Sequence, residues 1–200
     1  MSGPCVAVIE TGAANLASVL AAFQRLGTPA TTTSDPDRVR TADRVVLPGV
    51  GAFGDVMRRL RSRGLADAIV ERCDRGRPVL AVCLGLQLLA ERSDEAPEDQ
   101  GLGVFAGTVR RFAPPLKVPQ LGWNLVSAAT ASRVIESGHA YFANSYRLDE
   151  APSGWTASWA THGAPFVAAL ERGSLLACQF HPELSGRWGA ALLARWITRC

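Results

Sequence analysis

No two of the five cysteines in this sequence (Cys5, Cys73, Cys83, Cys178 and Cys200) stand at the C-x-x-C spacing of a zinc site. Their odd number and wide spacing also argue against a disulfide framework and fit a reducing compartment, so a cytoplasmic chain is expected. Histidine is scarce, with three in 200 residues, which leaves few candidates for a general base. No apolar run reaches membrane-spanning length, and the first residues lack the features of a signal peptide. Charge of one sign is missing as well: the net charge is +3, and the arginines are scattered among Asp and Glu, so no nucleic-acid stripe is visible. Repeats, low-complexity tracts and interdomain linkers are absent. With 48% hydrophobic and 20% charged residues the chain reads as globular, and residues 1–200 suit a single domain with an ample core.

What is present is organised around residues 78–89, P-V-L-A-V-C-L-G-L-Q-L-L. Val79 to Val82 is a fully apolar run, suited to a buried parallel strand and too short for a helix. From Leu84 to Ala90 the chain changes to helix formers, with Leu84, Leu88 and Leu89 at helical spacing. Cys83 sits at the join, with Gly85 two residues on. A nucleophile on a sharp strand-to-helix turn needs small neighbours, because the backbone is strained and side chains crowd the bend. The helix N-terminus aims N–H groups and the positive end of its dipole at the sulfur, which favours the reactive thiolate. A buried structural cysteine is the other reading of this stretch.

Before this stretch, strands and helices alternate. Residues 5–9 form an apolar run, and Asn15 can cap a helix whose buried face is Leu16, Val19, Leu20 and Phe23, stopped by Gly27. Residues 28–33 are a second strand, 34–37 a turn, and 44–47 a third strand that runs into the loop Pro48-Gly49-Val50-Gly51. An arginine-rich helical stretch follows, then helix over 67–73. This alternation predicts a parallel sheet covered on both faces. Residues 93–103 are polar and loop-like. From 104 to 179 the segments are short and β-leaning, with a hairpin turn at His162-Gly163, and they predict an antiparallel or mixed extension of the sheet. A last helix over 186–198 buries Trp188, Leu192, Leu193 and Trp196. The expected fold is a three-layer α/β domain.

A cysteine attacking a carbonyl needs a base to take and return a proton and a carboxylate to orient that base. His139 lies just before a strand and His162 in a hairpin turn. His181 stands just past the end of the buried run L-L-A-C-Q-F, with Glu183 two residues on and Pro182 stiffening the backbone between them. In an open parallel sheet the strand ends on one edge share a crevice, so Cys83 and His181 can meet despite their separation in sequence. Acyl transfer also needs backbone N–H donors where the oxyanion develops, each worth about 3 kcal/mol. The glycines of the 48–51 loop can turn such amides inward, although P-G-V-G alone is also an ordinary strand-to-helix turn.

Together, V-L-P-G-V-G-A-F-G, A-V-C-L-G-L-Q-L-L and Q-F-H-P-E resemble the class I glutamine amidotransferases over nearly the whole chain. Within that class, E-T-G-A-A-N-L (residues 10–16), P-Q-L-G-W-N (119–124) and Y-F-A-N-S-Y (141–146) are similar to the glutaminase subunits of imidazole glycerol phosphate synthase, in histidine biosynthesis. The resemblance implies that Cys83 is nucleophile, His181 base and Glu183 its orienting carboxylate. It implies an oxyanion loop of Gly49, Val50 and Gly51, with the Gly49–Val50 peptide as donor. Gln87, Ser145 and Tyr146, with Gly51, match positions that contact L-glutamine. Asn15, Trp123 and Tyr141 match the face that meets a separate (β/α)8-barrel cyclase subunit in a heterodimer, although aromatic side chains suit a core equally well. That partner would turn the released ammonia and a phosphoribulosyl-formimino carboxamide ribotide into imidazole glycerol phosphate and an aminoimidazole carboxamide ribotide. No cofactor, metal, nucleic acid or membrane is implied.

Three positions depart from the family pattern. Ala81 stands where the elbow usually has Gly, Asn144 replaces a usual His, and Leu184 follows H-P-E where a basic residue is common, leaving Arg187 to make any such contact. The readings still open are a glutaminase serving pyridoxal phosphate or anthranilate synthesis, a non-catalytic module on the same fold, and a stand-alone cysteine hydrolase.

Overall fold

The computed structural model describes residues 5–12 and 15–200, so Ala13 and Ala14 of the E-T-G-A-A-N-L segment lie outside the described residues. The first half alternates as the sequence implies: β1 (Val6–Ile9), α1 (Leu16–Arg25), β2 (Ala30–Thr33), α2 (Pro36–Thr41), β3 (Arg44–Leu47), α3 (Phe53–Ser62), α4 (Leu65–Asp74), β4 (Val79–Val82) and α5 (Leu84–Leu88). The second half is mostly strand: β5 (Ala90–Ser93), β6 (Phe105–Arg111), β7 (Gln120–Val126), β8 (Gly138–Asn144), β9 (Tyr146–Arg147), β10 (Thr156–His162), β11 (Ala164–Arg172) and β12 (Leu175–Cys178). A 3-10 turn at Pro182–Leu184 leads into α6 (Gly186–Arg199).

Seven strands form the main sheet in the order β10-β11-β12-β4-β3-β1-β2. From β12 to β2 the strands are parallel, and β10, β11 and β12 pair antiparallel. All four residues of β1, β4 and β12 are buried, as expected of strands covered on both faces. Because successive strand residues point to opposite faces, the core divides in two. Ala7, Val45, Val79 and Ala177 pack with the apolar sides of α3, α4 and α5. Val8, Val46, Leu80 and Leu176 pack with Phe23 of α1, Phe142 of β8 and Trp196 of α6. The layers are therefore helix, sheet and helix, as the expected fold class has it.

Details of the expected elements differ. Asp35 does not close a turn: its side chain accepts the Asp37 N–H at 2.9 Å and caps α2, with Pro36 in the first helical turn. The helix after Cys83 ends at Leu88, and Ala90 already begins β5. Of the later strands only β10, β11 and β12 extend the main sheet, while β5-β6-β9 and β7-β8 form separate small sheets. Their alternating burial sets one side against the core and leaves the other facing out, and strand propensity alone does not say which sheet such a strand joins. Trp188 is only half-buried, whereas Leu192, Leu193 and Trp196 face the core as expected. Asn15 does cap α1, accepting the Ser18 N–H, and the β10–β11 hairpin does turn at Gly163. Among the described residues no helix is long and apolar enough to cross a membrane.

One buried cation fastens the parallel half together. Arg72 on α4, 1% exposed, donates to the carbonyls of Val39 (3.0 Å), Ala42 (2.8 Å), Asp43 (2.9 Å) and Pro78 (3.1 Å). It ties the end of α2 and the entries to β3 and β4 to one helix. Carbonyls that lose their donor on burial cost free energy, so Arg72→Met should lower unfolding stability by on the order of 3 kcal/mol. Chemical denaturation measures this, and a change under about 1 kcal/mol would show that water replaces the guanidinium.

Candidate active site

Three neighbouring parallel strands deliver the site. β3, β4 and β12 end at one edge of the sheet, followed by the 48–51 loop, by Cys83, and by Gln179, Phe180 and His181. In such sheets the crevice beyond the carboxyl ends is where ligands bind.

Cys83 has φ 53° and ψ −109°, and is the only non-glycine with positive φ among the described residues. Such backbone costs on the order of 1–3 kcal/mol and persists only where its surroundings enforce it. Here the Cys83 N–H donates to the Cys178 carbonyl of β12 at 2.7 Å. Small neighbours are required, as expected of an elbow: a Cβ on Gly85 would lie 2.1 Å from the Leu47 oxygen, and one on Gly49 would lie 2.6 Å from the Leu84 Cβ. Ala81, where Gly is usual, is absorbed without exposure in the core of the sheet. The helix that follows is only five residues long, so its dipole is weaker than that of a full-length helix.

The titratable group with a strongly shifted pKa in this site is His181. Its ring shares the cleft with Cys83, and its Nδ1 donates to Glu183 Oε1 at 2.8 Å. Burial pulls the His181 pKa down, but the hydrogen bonds and charges of Cys83 and Glu183 outweigh it and raise the value to about 10. The residue is held from behind: its backbone N–H donates to the Tyr141 carbonyl at 2.9 Å, and its backbone carbonyl accepts the Ser185 hydroxyl. The 3-10 turn brings Glu183 back beneath the ring, and Glu183 Oε2 is buried without a partner.

A cleft of about 220 Å³ opens on Cys83 and His181 and is lined by Val50, Gly51, Gln87, Ser145 and Tyr146, so the expected substrate positions converge there. A larger cleft of about 380 Å³ between β6 and residues 148–153 is lined by neither cysteine nor histidine. Gln87 places its Nε2 between Gln179 Oε1 (3.0 Å) and the Tyr146 carbonyl (3.1 Å), leaving Oε1 for a ligand. The Gly49 carbonyl accepts the Leu84 N–H at 3.3 Å, so the amide next to Cys83 is occupied.

Two further residues of the site have no role among the expected positions. Gln179, which opens the Q-F-H-P-E segment, donates its Nε2 to the Cys83 sulfur at 3.7 Å. Glu95 also lines the cleft. Burial raises its pKa, the Phe53 N–H lowers it, and Asp55 raises it, with a net upward shift. It lies in a segment whose polar composition reads as solvated loop, and only the fold places it here.

Of the expected partner-face residues, Asn15 and Trp123 are exposed and Tyr141 is half-buried. Trp123 is 59% exposed rather than in the core, flanked on β7 by exposed Leu121 and Leu125. Tyr141 meets Trp123 edge-on at 6.2 Å, and Asn15 is exposed. Leu184 is exposed, while Arg187 lines a separate cleft with Glu183 and Arg25.

The sequence model of the class-I glutamine amidotransferases matches residues 7–200. The solved structures agree on the fold: a glutamine amidotransferase crystal structure superposes with a TM-score of 0.77 at 22% identity, covering 96% of each chain. The structure of PurLQS from Thermotoga maritima superposes at 0.75 with 16% identity, covering 98% of each chain. The sequence is 43% identical to the imidazole glycerol phosphate synthase subunit HisH of Herpetosiphon aurantiacus, over 96% of this chain and 93% of that protein. It is 41% identical to the same subunit from Mycobacterium tuberculosis, over 98% of both. The chain belongs to the class-I glutamine amidotransferases and, within them, to the HisH subunits of imidazole glycerol phosphate synthase.

The raised pKa has a direct readout. In an NMR titration of the His181 ring, protonation should persist to about pH 10. Glu183→Gln and Cys83→Ala each remove a contribution that raises the value, so each should move the titration downward. An ordinary midpoint near about 6.5 in the unaltered protein would contradict the arrangement described.

Proposed function

We propose that Cys83 is the nucleophile, His181 the general acid and base, and Glu183 the orienting carboxylate of a glutaminase. The reading rests on one observation: Cys83 and His181, with Glu183 hydrogen-bonded behind the His181 ring, share the cleft where the glutamine-contact positions converge. Membership of the HisH family makes the chain the glutaminase subunit of imidazole glycerol phosphate synthase. Cys83 Sγ adds to the side-chain amide carbon of glutamine while His181 holds the thiol proton. The tetrahedral intermediate collapses as His181 gives that proton to the leaving nitrogen, so ammonia departs and a thioester remains. Water then adds with its proton passing to His181, and glutamate leaves as the proton returns to sulfur.

The oxyanion needs donors that the observed loop withholds. Turning over the Gly49–Val50 peptide would release the Leu84 N–H from the Gly49 carbonyl and bring the Val50 N–H to the site. A partner that binds the turned state more tightly activates the enzyme, and a hundredfold rise needs about 2.7 kcal/mol of coupling. The partner we propose is a separate (β/α)8-barrel cyclase in the cytoplasm, seated on exposed Leu121, Trp123, Leu125, Leu184 and Val50. These are all the large apolar side chains left exposed among the described residues: Val50 lines the cleft, Leu184 closes the turn that carries Glu183, and the other three share the outward side of β7.

Glutamate production should be measured with and without the cyclase and its nucleotide substrate. Cys83→Ala should reduce it at least a thousandfold while ammonium salts still support cyclisation in the complex, because only the ammonia supply is lost. Turnover within tenfold of the unaltered enzyme would remove Cys83 from the role.

Glu95 is suited to the α-ammonium of glutamine, since its carboxylate lines the cleft and one oxygen is already set by the Phe53 N–H at 3.1 Å. Glu95→Gln keeps an acceptor for Phe53 but loses the charge. It should raise the KM for glutamine about tenfold or more yet leave glutaramate, which lacks the α-amino group, nearly unaffected. Equal losses on both substrates would assign Glu95 to the loop alone.

A further inference from the structure

Glu183 uses only one of its two carboxylate oxygens. Its side chain is 5% exposed; Oε1 accepts from His181 Nδ1, while Oε2 is buried with no partner among the described residues. Native proteins leave few buried polar atoms unmet, and a buried charge left half-paired is the costliest kind. This charge orients the base, so its missing donor bears on the chemistry.

A donor stands nearby. A cleft of about 520 Å³ between α1 and the start of α6 is lined by Glu183 with Arg25 and Arg187, and it shares no residue with the Cys83 cleft. Neither arginine makes an ion pair or a side-chain hydrogen bond among the described residues. Arg25 ends α1, where its charge complements the helix carbonyls. Arg187 has no such use. Gly186, at a φ of 57°, bends the chain from the 3-10 turn into α6 and brings Arg187 round to the cleft. We propose that Arg187 pairs with Glu183 Oε2 in the working enzyme and is a positioning residue for the His181–Glu183 contact.

The chemistry suits an arginine. A guanidinium keeps its charge and gives the oxygen a directed donor, which holds the carboxylate against the His181 ring. Its charge also offsets part of the negative charge that keeps the proton on His181, so pairing lowers the His181 pKa and losing the pair raises it. The groups facing Glu183 are His181 on its own segment, Arg187 from α6 and Arg25 from α1, with Cys178 of β12 also within reach of its charge. From β8, Tyr141 meets this segment through its backbone. A Cβ on Gly186 would lie 3.7 Å from the Trp123 ring, so the cleft adjoins the face assigned to the cyclase. Covering that face removes water that competes for the guanidinium and strengthens the pair. The proposal rests on the glutaminase reading given above.

The test measures glutamate formation across pH in the complete complex, at saturating cyclase and nucleotide substrate. Arg187→Met should lower kcat about fivefold or more with KM within about twofold, because the contact it supports serves the chemistry rather than glutamine binding. The basic limb of the kcat profile should move up by about 0.5 pH unit or more, since His181 then holds its proton more tightly. Arg187→Lys keeps the charge and should recover most of both effects. Arg25→Met removes an equal charge from the same cleft and should leave kcat within about twofold. An unmoved limb in Arg187→Met, whether or not kcat falls, would overturn the positioning role, as would an equal effect from Arg25→Met. An unaltered complex that formed no glutamate would instead overturn the glutaminase reading, and this proposal with it.

Discussion

The site depends on the backbone of Cys83. Its left-handed φ swings the thiol out of the line of β4 and up to the sheet edge, and nothing intrinsic to a cysteine favours that conformation. The constraint is supplied by neighbours: the Cys178 carbonyl on one side, the Leu47 carbonyl packed against Gly85 on the other, and Gly49 closing over Leu84. Each of these contacts works only because β3, β4 and β12 are adjacent and in register. Packing energy from two fully buried core layers therefore holds a strain that the short helix after it could not hold alone.

Electrostatics then follows from position. His181 is buried, which by itself would favour the neutral ring, yet its interactions with Cys83 and Glu183 outweigh burial and raise its pKa. The balance falls toward the imidazolium. Gln179 and Gln87 extend this order outward through amide hydrogen bonds, from the sulfur to the Tyr146 backbone where substrate positions begin. The same site is poised rather than complete, because the Leu84 amide is taken by Gly49.

Much of this is legible in the residues themselves. Four-residue apolar runs can be satisfied only as strands buried on both faces, and their alternation with capped helices implies a parallel sheet. Cys83, His181 and Glu183 stand at strand ends, where that sheet gathers chemistry. Strand pairing in the second half is not legible, because short half-buried strands carry no label of their neighbours. Asp35-Pro36 reads as a turn in the sequence and caps a helix in the fold, since an Asp side chain closes a turn and caps a helix by the same hydrogen bond.

By itself, the sequence determined the fold class, the elbow and the H-P-E segment, because each depends on local backbone preferences and on burial patterns a few residues long. Only the tertiary structure decided that Trp123 faces outward, that Glu95 enters the cleft from a polar loop, and that Glu183 keeps one buried oxygen unmet in a cleft shared with Arg187. Those outcomes depend on which distant strands and loops share a surface, and that is set by the sum of all the packing rather than by any residue's own chemistry.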